Sequence, residues 1–278
     1  MSLEHDVVRA YITLSGRGRP WRSTEAFERA LARRPAWPAR PPAALPGVSI
    51  AQRDEPEGRV VRLTPRAATG SVVALHGGGY VFGPEPQHWT LWRRIAVASR
   101  REVVVPLYRL APEGTAAVAV PWVAGLVRRS AGPVALLGDS AGGGLALAAA
   151  LVLREEGLRP PLLLSAPWLD ATMRRPWRLQ RDPWLARPGF EVAADRWRGD
   201  LPVDHPFVSP LLADLGGIGP VVVASGTRDL LHEDARRVRQ RAPGPVRLLV
   251  GEGLIHNYPL LPVPEARPAV RAFVDALR

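Results

Sequence analysis

The 278-residue chain contains no cysteine and no lysine, a single asparagine (Asn257) and only five isoleucines. Without cysteine it has no disulfide framework, no thiolate zinc site and no cysteine nucleophile. Without lysine it cannot build a phosphate loop of the Gly-Lys-Ser/Thr type. Long apolar runs are missing too. Nothing approaches the ~18 residues of a membrane span, and the alanine- and leucine-rich stretch from Gly142 to Leu153 runs straight into Arg154, Glu155 and Glu156. The segment after Met1 carries Glu4 and Asp6 and no long apolar stretch, which is not the pattern of a signal peptide. These absences predict a soluble, cytoplasmic protein, and an apolar share of 46% is ample for a core.

What is abundant is arginine. All 37 basic residues are Arg, set against 26 acidic ones, for a net charge of +11. Charge alone suggests a nucleic acid or an anionic surface as partner. The missing residues argue otherwise, because Lys, Asn and Ile have A/T-rich codons whereas Arg, Ala, Gly and Pro have G/C-rich ones. A G/C-rich genome accounts for the arginine without any function. The arginines are also scattered in pairs, such as Arg33-Arg34, Arg93-Arg94 and Arg236-Arg237, with no dense block. No helix-turn-helix, zinc-finger or aromatic RNA-binding signature accompanies them, so nucleic acid is not expected as a partner.

A proline-rich stretch from Pro35 to Pro46 divides the chain into two kinds of sequence. Before it, Glu4 to Leu14 and Ser23 to Arg34 read as short helices, the second opening on Ser23-Thr24 with Glu25 and Glu28 in its first turn. After it come eight β-type runs: Val48–Gln52, Arg59–Leu63, Ser71–Leu75, Glu102–Pro106, Val134–Leu137, Leu162–Ser165, Val221–Ala224 and Val246–Val250. Several are continuously apolar, the mark of strands covered on both faces, as in a parallel sheet. Helical segments fall between them: Pro86 to Ser99, Ala116 to Arg129, Gly142 to Glu156, Glu233 to Arg241 and Pro264 to Leu277. The alternation predicts an α/β doubly wound architecture.

One interval breaks the rhythm. From Trp168 to Leu215 no strand is evident, and Trp, Pro and Arg are frequent. A gap that long in a compact domain is usually functional. The expected organisation is N-terminal cap helices over 1–45, a catalytic core over 46–167 and 206–278, and a cap insertion over 168–205. Six of nine tryptophans fall in or beside these cap segments: Trp21, Trp37, Trp168, Trp177, Trp184 and Trp197. They serve either as the core of a small helical cap or as the lining of an apolar pocket.

The strongest motif is Gly138-Asp139-Ser140-Ala141-Gly142. It follows the strand VALL, opens the helix LALAAALVLREE and fits G-x-S-x-G, in which a sharp turn exposes the serine hydroxyl. A glycine-rich turn with a capping Asp or Ser is the plainer reading. The second motif, His76-Gly77-Gly78-Gly79-Tyr80-Val81-Phe82-Gly83, directly follows the strand SVVAL. Consecutive glycines let backbone N–H groups approach a substrate carbonyl, which the anionic oxygen of a tetrahedral intermediate requires.

A serine nucleophile needs a base, and the base an orienting acid, in the order Ser…Asp/Glu…His. His5, His76 and His88 come too early, His205 falls in the cap, and His232 lies only three residues after Asp229. His256 remains, in the loop after the last strand. Asp229 is the favoured acid, just past the strand VVVA, with Glu233 and Asp234 as nearby competitors.

HGGGYVFG, YRLAPE (Tyr108 to Glu113), GDSAGG (Gly138 to Gly143) and the Asp229 and His256 contexts together resemble the hormone-sensitive-lipase-like esterases of the α/β-hydrolase superfamily. The resemblance runs from about Val60 to the C-terminus. It implies an α/β-hydrolase fold with a mostly parallel eight-stranded sheet and a small helical cap. It implies a Ser140–His256–Asp229 triad and an oxyanion hole from the backbone N–H groups of Gly78, Gly79 and Ala141. The chain departs from the family in its Glu233-Asp234 order, in its short N-terminal region and in Pro183 to Pro206, which aligns with nothing. The expectation is a serine carboxylic-ester hydrolase for short- to medium-chain acyl esters, working without cofactor or metal on a small-molecule ester, with a homodimer also known in the family. Two rivals share the machinery or the fold: a deacetylase or acyltransferase specific for a secondary metabolite, and a non-catalytic binding protein. The last would be expected to lose a triad member, and all three candidates are present.

Overall fold

A computed structural model describes residues 1–35, 41–174 and 182–278. Eight strands form one sheet: β1 (Val48–Glu55), β2 (Gly58–Pro65), β3 (Ser71–Leu75), β4 (Glu102–Tyr108), β5 (Val134–Asp139), β6 (Leu162–Ser165), β7 (Val221–Gly226) and β8 (Val246–Gly251). Their spatial order is β1-β2-β4-β3-β5-β6-β7-β8. From β4 through β8 the neighbours are parallel, with Val73 opposite both Val104 and Leu136. β1 and β2 pair antiparallel with each other, and β2 pairs antiparallel with β4. All eight expected runs are strands. Continuous apolarity marks the parallel ones, while half-exposed β1 is the antiparallel edge.

The period-2 alternation of side chains divides each inner strand between two cores. On β3, Val73 and Leu75 pack with α4 (Ala116–Arg128) and α5 (Ala141–Glu155), while Val72 and Ala74 pack with α3 (Pro86–Ser99) and α8 (Ala266–Asp275). α7 (His232–Arg241) sits beside β7 and β8. Helix ends fall within a few residues of the sequence expectation. The last helix is shorter at its start, because Glu265, and not Pro264, stands before its first turn.

Three further helices pack around the carboxyl edge of the sheet. α1 (Leu3–Leu14) is capped by the Ser2 hydroxyl, and α2 (Thr24–Ala32) by the Ser23 hydroxyl. Between them a 3₁₀ turn over Arg19–Arg22 buries Trp21. α6 (Arg187–Arg198) lies in the interval where no element was assigned from sequence. It buries Phe190, Ala193, Ala194 and Trp197, the i, i+3, i+4, i+7 pattern of one helical face. Trp21 joins α2 to α6, with its ring 4.9 Å from both Phe27 and Phe190. Trp37 and Trp177 lie outside the described residues. No helix among the described residues is long and apolar enough to cross a membrane.

Candidate active site

β5 ends at Asp139 and α5 begins at Ala141, so Ser140 alone makes the turn. Its φ is +51°, a strained value for a non-glycine residue. The turn closes only because its flanks lack side chains. A Cβ on Gly138 would strike the Gly142 carbonyl, and one on Gly142 would strike the Leu75 carbonyl. Backbone bonds pin the serine: its N–H donates to Ser165 O at 2.9 Å, and its carbonyl accepts from Trp168 N at 2.8 Å and Gly143 N at 3.0 Å. Ser140 lines a pocket at the carboxyl edge.

Gly78 and Gly79 line the same pocket from the β3–α3 loop, and with Tyr80 they form three successive residues at positive φ (106°, 62° and 64°). The Gly78 carbonyl accepts from Val81 and Phe82 N–H at 3.1 and 2.9 Å, closing the loop on itself. Ala141, fully buried, is the first residue of α5, where N–H groups have no intrahelical partner.

His256 stands in the β8–α8 loop with Nδ1 3.0 Å from Asp229 Oδ1. Asp229 is completely buried, and its Oδ1 also accepts the Leu231 N–H at 2.8 Å. Burial opposes charge on the His256 ring, but the Asp229 carboxylate and its hydrogen bond outweigh this and raise the ring's basicity. The competing carboxylates go elsewhere. Asp234 accepts the N–H groups of Leu169 (2.8 Å) and Asp170 (3.3 Å), and Glu233 pairs with Arg236 at 3.0 Å. The structure thus brings Ser140, His256, Gly78 and Gly79 to one pocket, with Asp229 behind His256 and Ala141 behind Ser140.

The other histidines are fixed in place by their own contacts. His76 stacks on Tyr108 at 4.3 Å, and burial lowers its pKa to about 4, so it is neutral. His232 Nδ1 meets the Ser225 hydroxyl at 3.1 Å, and His205 Nδ1 accepts the Phe207 N–H at 3.1 Å. His5 reaches across from α1, where its Nε2 accepts the N–H of Ile255, next to His256, at 3.3 Å.

His88 has a role that its early position hid. Its Nε2 lies 3.2 Å from the Asp139 carboxylate, and its Nδ1 accepts the Glu85 N–H at 2.9 Å. Asp139 also accepts from Gly77 N at 3.1 Å and from Asn257 Nδ2 at 2.9 Å. One carboxylate therefore ties the glycine loop, α3 and the residue after His256 to the residue before Ser140. Burial disfavours its charge, yet the imidazoles around it, His88 foremost, hold its pKa below the ordinary aspartate value. Asn257 itself takes the left-handed conformation (φ +53°) and accepts the Ser165 hydroxyl at 3.0 Å.

The pocket encloses about 330 Å³. Trp21, Phe82, Trp184 and Leu185 form apolar wall, while Trp168 and Trp197 are buried in the packing behind it, at 1% and 0% exposure. The described tryptophans of these segments thus divide between pocket wall and packing.

A family with the α/β-hydrolase fold matches residues 72–260. The chain is 35% identical over 214 residues to a triacylglycerol lipase of Mycobacterium tuberculosis, covering 73% of this chain but 45% of the lipase, less than half its length. It is 31% identical to an ethyl acetate hydrolase of Pseudomonas putida, over 70% of this chain and 67% of that protein. Among solved structures, an esterase from the bacterial hormone-sensitive lipase family superposes with a TM-score of 0.77 at 27% identity, covering 100% of this chain and 98% of the other. A hormone-sensitive-lipase homologue from a metagenome library shares the fold with a TM-score of 0.82 at 23% identity, with the same coverage.

Proposed function

Because the chain belongs to the α/β-hydrolase fold family, in its hormone-sensitive-lipase-like branch, we propose that it is a serine carboxylic-ester hydrolase for short- to medium-chain acyl esters. The observation that carries this reading is one pocket lined by Ser140, His256, Gly78 and Gly79, with Asp229 bonded to His256 at 3.0 Å.

Ser140 Oγ attacks the ester carbonyl as its proton passes to His256 Nε2. Asp229 accepts the Nδ1–H, which fixes the tautomer and stabilises the imidazolium that forms. The N–H groups of Gly78, Gly79 and Ala141 receive the oxyanion beside the buried Ser140 and His256, where such donors are worth more than in water. Collapse of the intermediate expels the alcohol, which takes the proton from His256. Water, activated by the same ring, then attacks the acyl-serine and releases the acid.

The helices over 1–45 and the insertion over 168–205 act as a cap, and Trp21, Trp184 and Leu185 shape the acyl side. A volume of about 330 Å³ is at the lower end for ligand sites and favours short acyl groups. The test is a panel of p-nitrophenyl esters from acetate to palmitate, run on the wild type and on Ser140→Ala. Turnover should fall with chain length beyond roughly octanoyl and vanish in the variant. Better turnover of palmitate than of butyrate, or a variant retaining more than a small fraction of the rate, would overturn the reading.

A further inference from the structure

Asp182 lies within electrostatic reach of Asp229 and His256 and has no part in the reaction as written. It is 7% exposed and sits five residues before α6. Its Oδ1 accepts the N–H groups of Trp184 at 2.8 Å and Leu185 at 3.0 Å, a local turn of the kind aspartate favours. Its Oδ2 accepts a third N–H, that of Leu230, at 3.0 Å. Leu230 directly follows Asp229. One carboxylate therefore joins the turn that sets Trp184 and Leu185 in the pocket wall to the loop that carries the acid. Trp184 in turn lies edge-on to His256, with centroids 6.2 Å apart and planes at 84°.

We propose that Asp182 is a positioning residue that fastens the pocket wall to the acid loop and adds a second negative charge behind Asp229 to strengthen His256 as a base. The inference rests on the reading of His256 as the general base. The charged groups facing His256 are Asp229 from the β7–α7 loop, Asp182 from the segment before α6, and Asp139 from the end of β5. His88 stands behind Asp139, and Asp229 and His256 are the groups that face Asp182. Burial, and then repulsion from Asp229, push the Asp182 carboxyl up to about 6. It is therefore ionised at neutral pH, where His256 must take a proton, and neutral in mild acid. Removing this charge takes away one of the groups that favour the imidazolium, so the ring becomes less basic.

The test is Asp182→Asn, which keeps the shape of the side chain and an oxygen for the Trp184–Leu185 turn while losing the charge and setting an NH₂ against the Leu230 N–H, so that the charge and the tie to the acid loop are removed together. The readout is the titration midpoint of His256 in histidine-labelled protein by NMR, with His256→Gln to assign the signal. The midpoint should drop by about half a unit to one unit, and the acid limb of kcat/KM for p-nitrophenyl acetate should move the same way. A purely structural turn would change melting temperature or KM and leave the midpoint in place, and an unchanged midpoint overturns the inference. If Asp182→Asn does not fold, Asp182→Ser, which can cap the same turn without charge, gives the same reading. The midpoint needs no turnover, so a wild type without esterase activity would break the proposed function and leave this measurement to judge Asp182 separately.

Discussion

His256–Asp229 and His88–Asp139 are the same two side chains at nearly the same separation, 3.0 and 3.2 Å, buried around one pocket. Their remaining hydrogen bonds differ. Asp139 takes three donors, from Gly77, Asn257 and His88, and both nitrogens of His88 are engaged, one by Asp139 and one by the Glu85 N–H. Asp229 takes Leu231 N–H and the His256 ring on Oδ1, while among the described residues its Oδ2 has no hydrogen-bond partner. Among the described residues His256 commits only Nδ1, which leaves Nε2 for the pocket its ring lines. A carboxylate and an imidazole thus make a brace when every polar atom is spoken for, and the pair with one nitrogen left open is the one proposed as the base.

The widest separation of the two pairs should come from matched amide substitutions. Asp229→Asn keeps the shape, and an amide oxygen in the place of Oδ1 can still accept from Leu231 N–H and His256. The charge that stabilises the imidazolium is lost, so turnover should fall steeply, toward the roughly 10⁴ that the comparable change costs in a serine protease. Its melting temperature should move little. Asp139→Asn should do the reverse, because an amide must turn its NH₂ toward Gly77 N–H or Asn257 Nδ2, both donors. A buried donor left facing a donor costs about 2–3 kcal/mol, roughly 5–10 °C in a domain of this size, with activity lost only in proportion to the loosened loop. Paired rate and calorimetric measurements check both. If Asp139→Asn proves the more damaging to kcat at an unchanged melting temperature, the roles assigned to the two pairs are reversed.

A smaller effect is expected from His88→Gln. Glutamine has a donor for Asp139 and an acceptor for the Glu85 N–H, so it should recover part of the brace. We expect a loss of about 1–2 kcal/mol of stability and nearly full kcat, read from denaturant midpoints and from ester turnover. A loss of kcat comparable to that of Asp229→Asn would mean that His88 takes part in the proton transfer.

The smallest effect is one of position on the pH axis. Only neutral His256 can accept the serine proton, and its basicity is raised, so the acid limb of kcat/KM should lie above the ordinary histidine value of ~6.5. The effect on stability has the opposite sense: the ring's contribution is fully present below ~6.5 and is lost as pH rises through its higher folded-state value. A pH–rate profile on a neutral ester locates the limb, and a profile flat from pH 5 to 8 would count against a histidine base.

The same contrast explains what could be read from sequence. Glycine spells out steric need, so the tight turns at Ser140 and at Gly78 were legible: Gly138, Gly142 and Gly78 stand where a Cβ would meet a carbonyl. The inner strands were legible because burial on both faces leaves continuous apolar runs. α6 had a readable stripe in Phe190, Ala193, Ala194 and Trp197, obscured by the prolines and arginines around it. The brace and the Asp182 clasp carried no such mark. Asp139 finds His88 and Asn257 at separations of 51 and 118 residues, and Asp182 finds Leu230 at 48. Nothing local in a chain announces a bond of that span.

The composition holds one more consequence, for chemical ageing. Asparagine is among the thermolabile residues, and this chain has a single one, Asn257, whose amide NH₂ sits 2.9 Å from Asp139. Hydrolysis of that amide would replace the donor with a carboxylate and set two like charges against each other beside Ser140 and His256. A lesion that many proteins tolerate at a surface loop would here cut the tie between the end of β5 and the loop that carries His256. Deamidation of Asn257 and disruption of this pocket would be a single event.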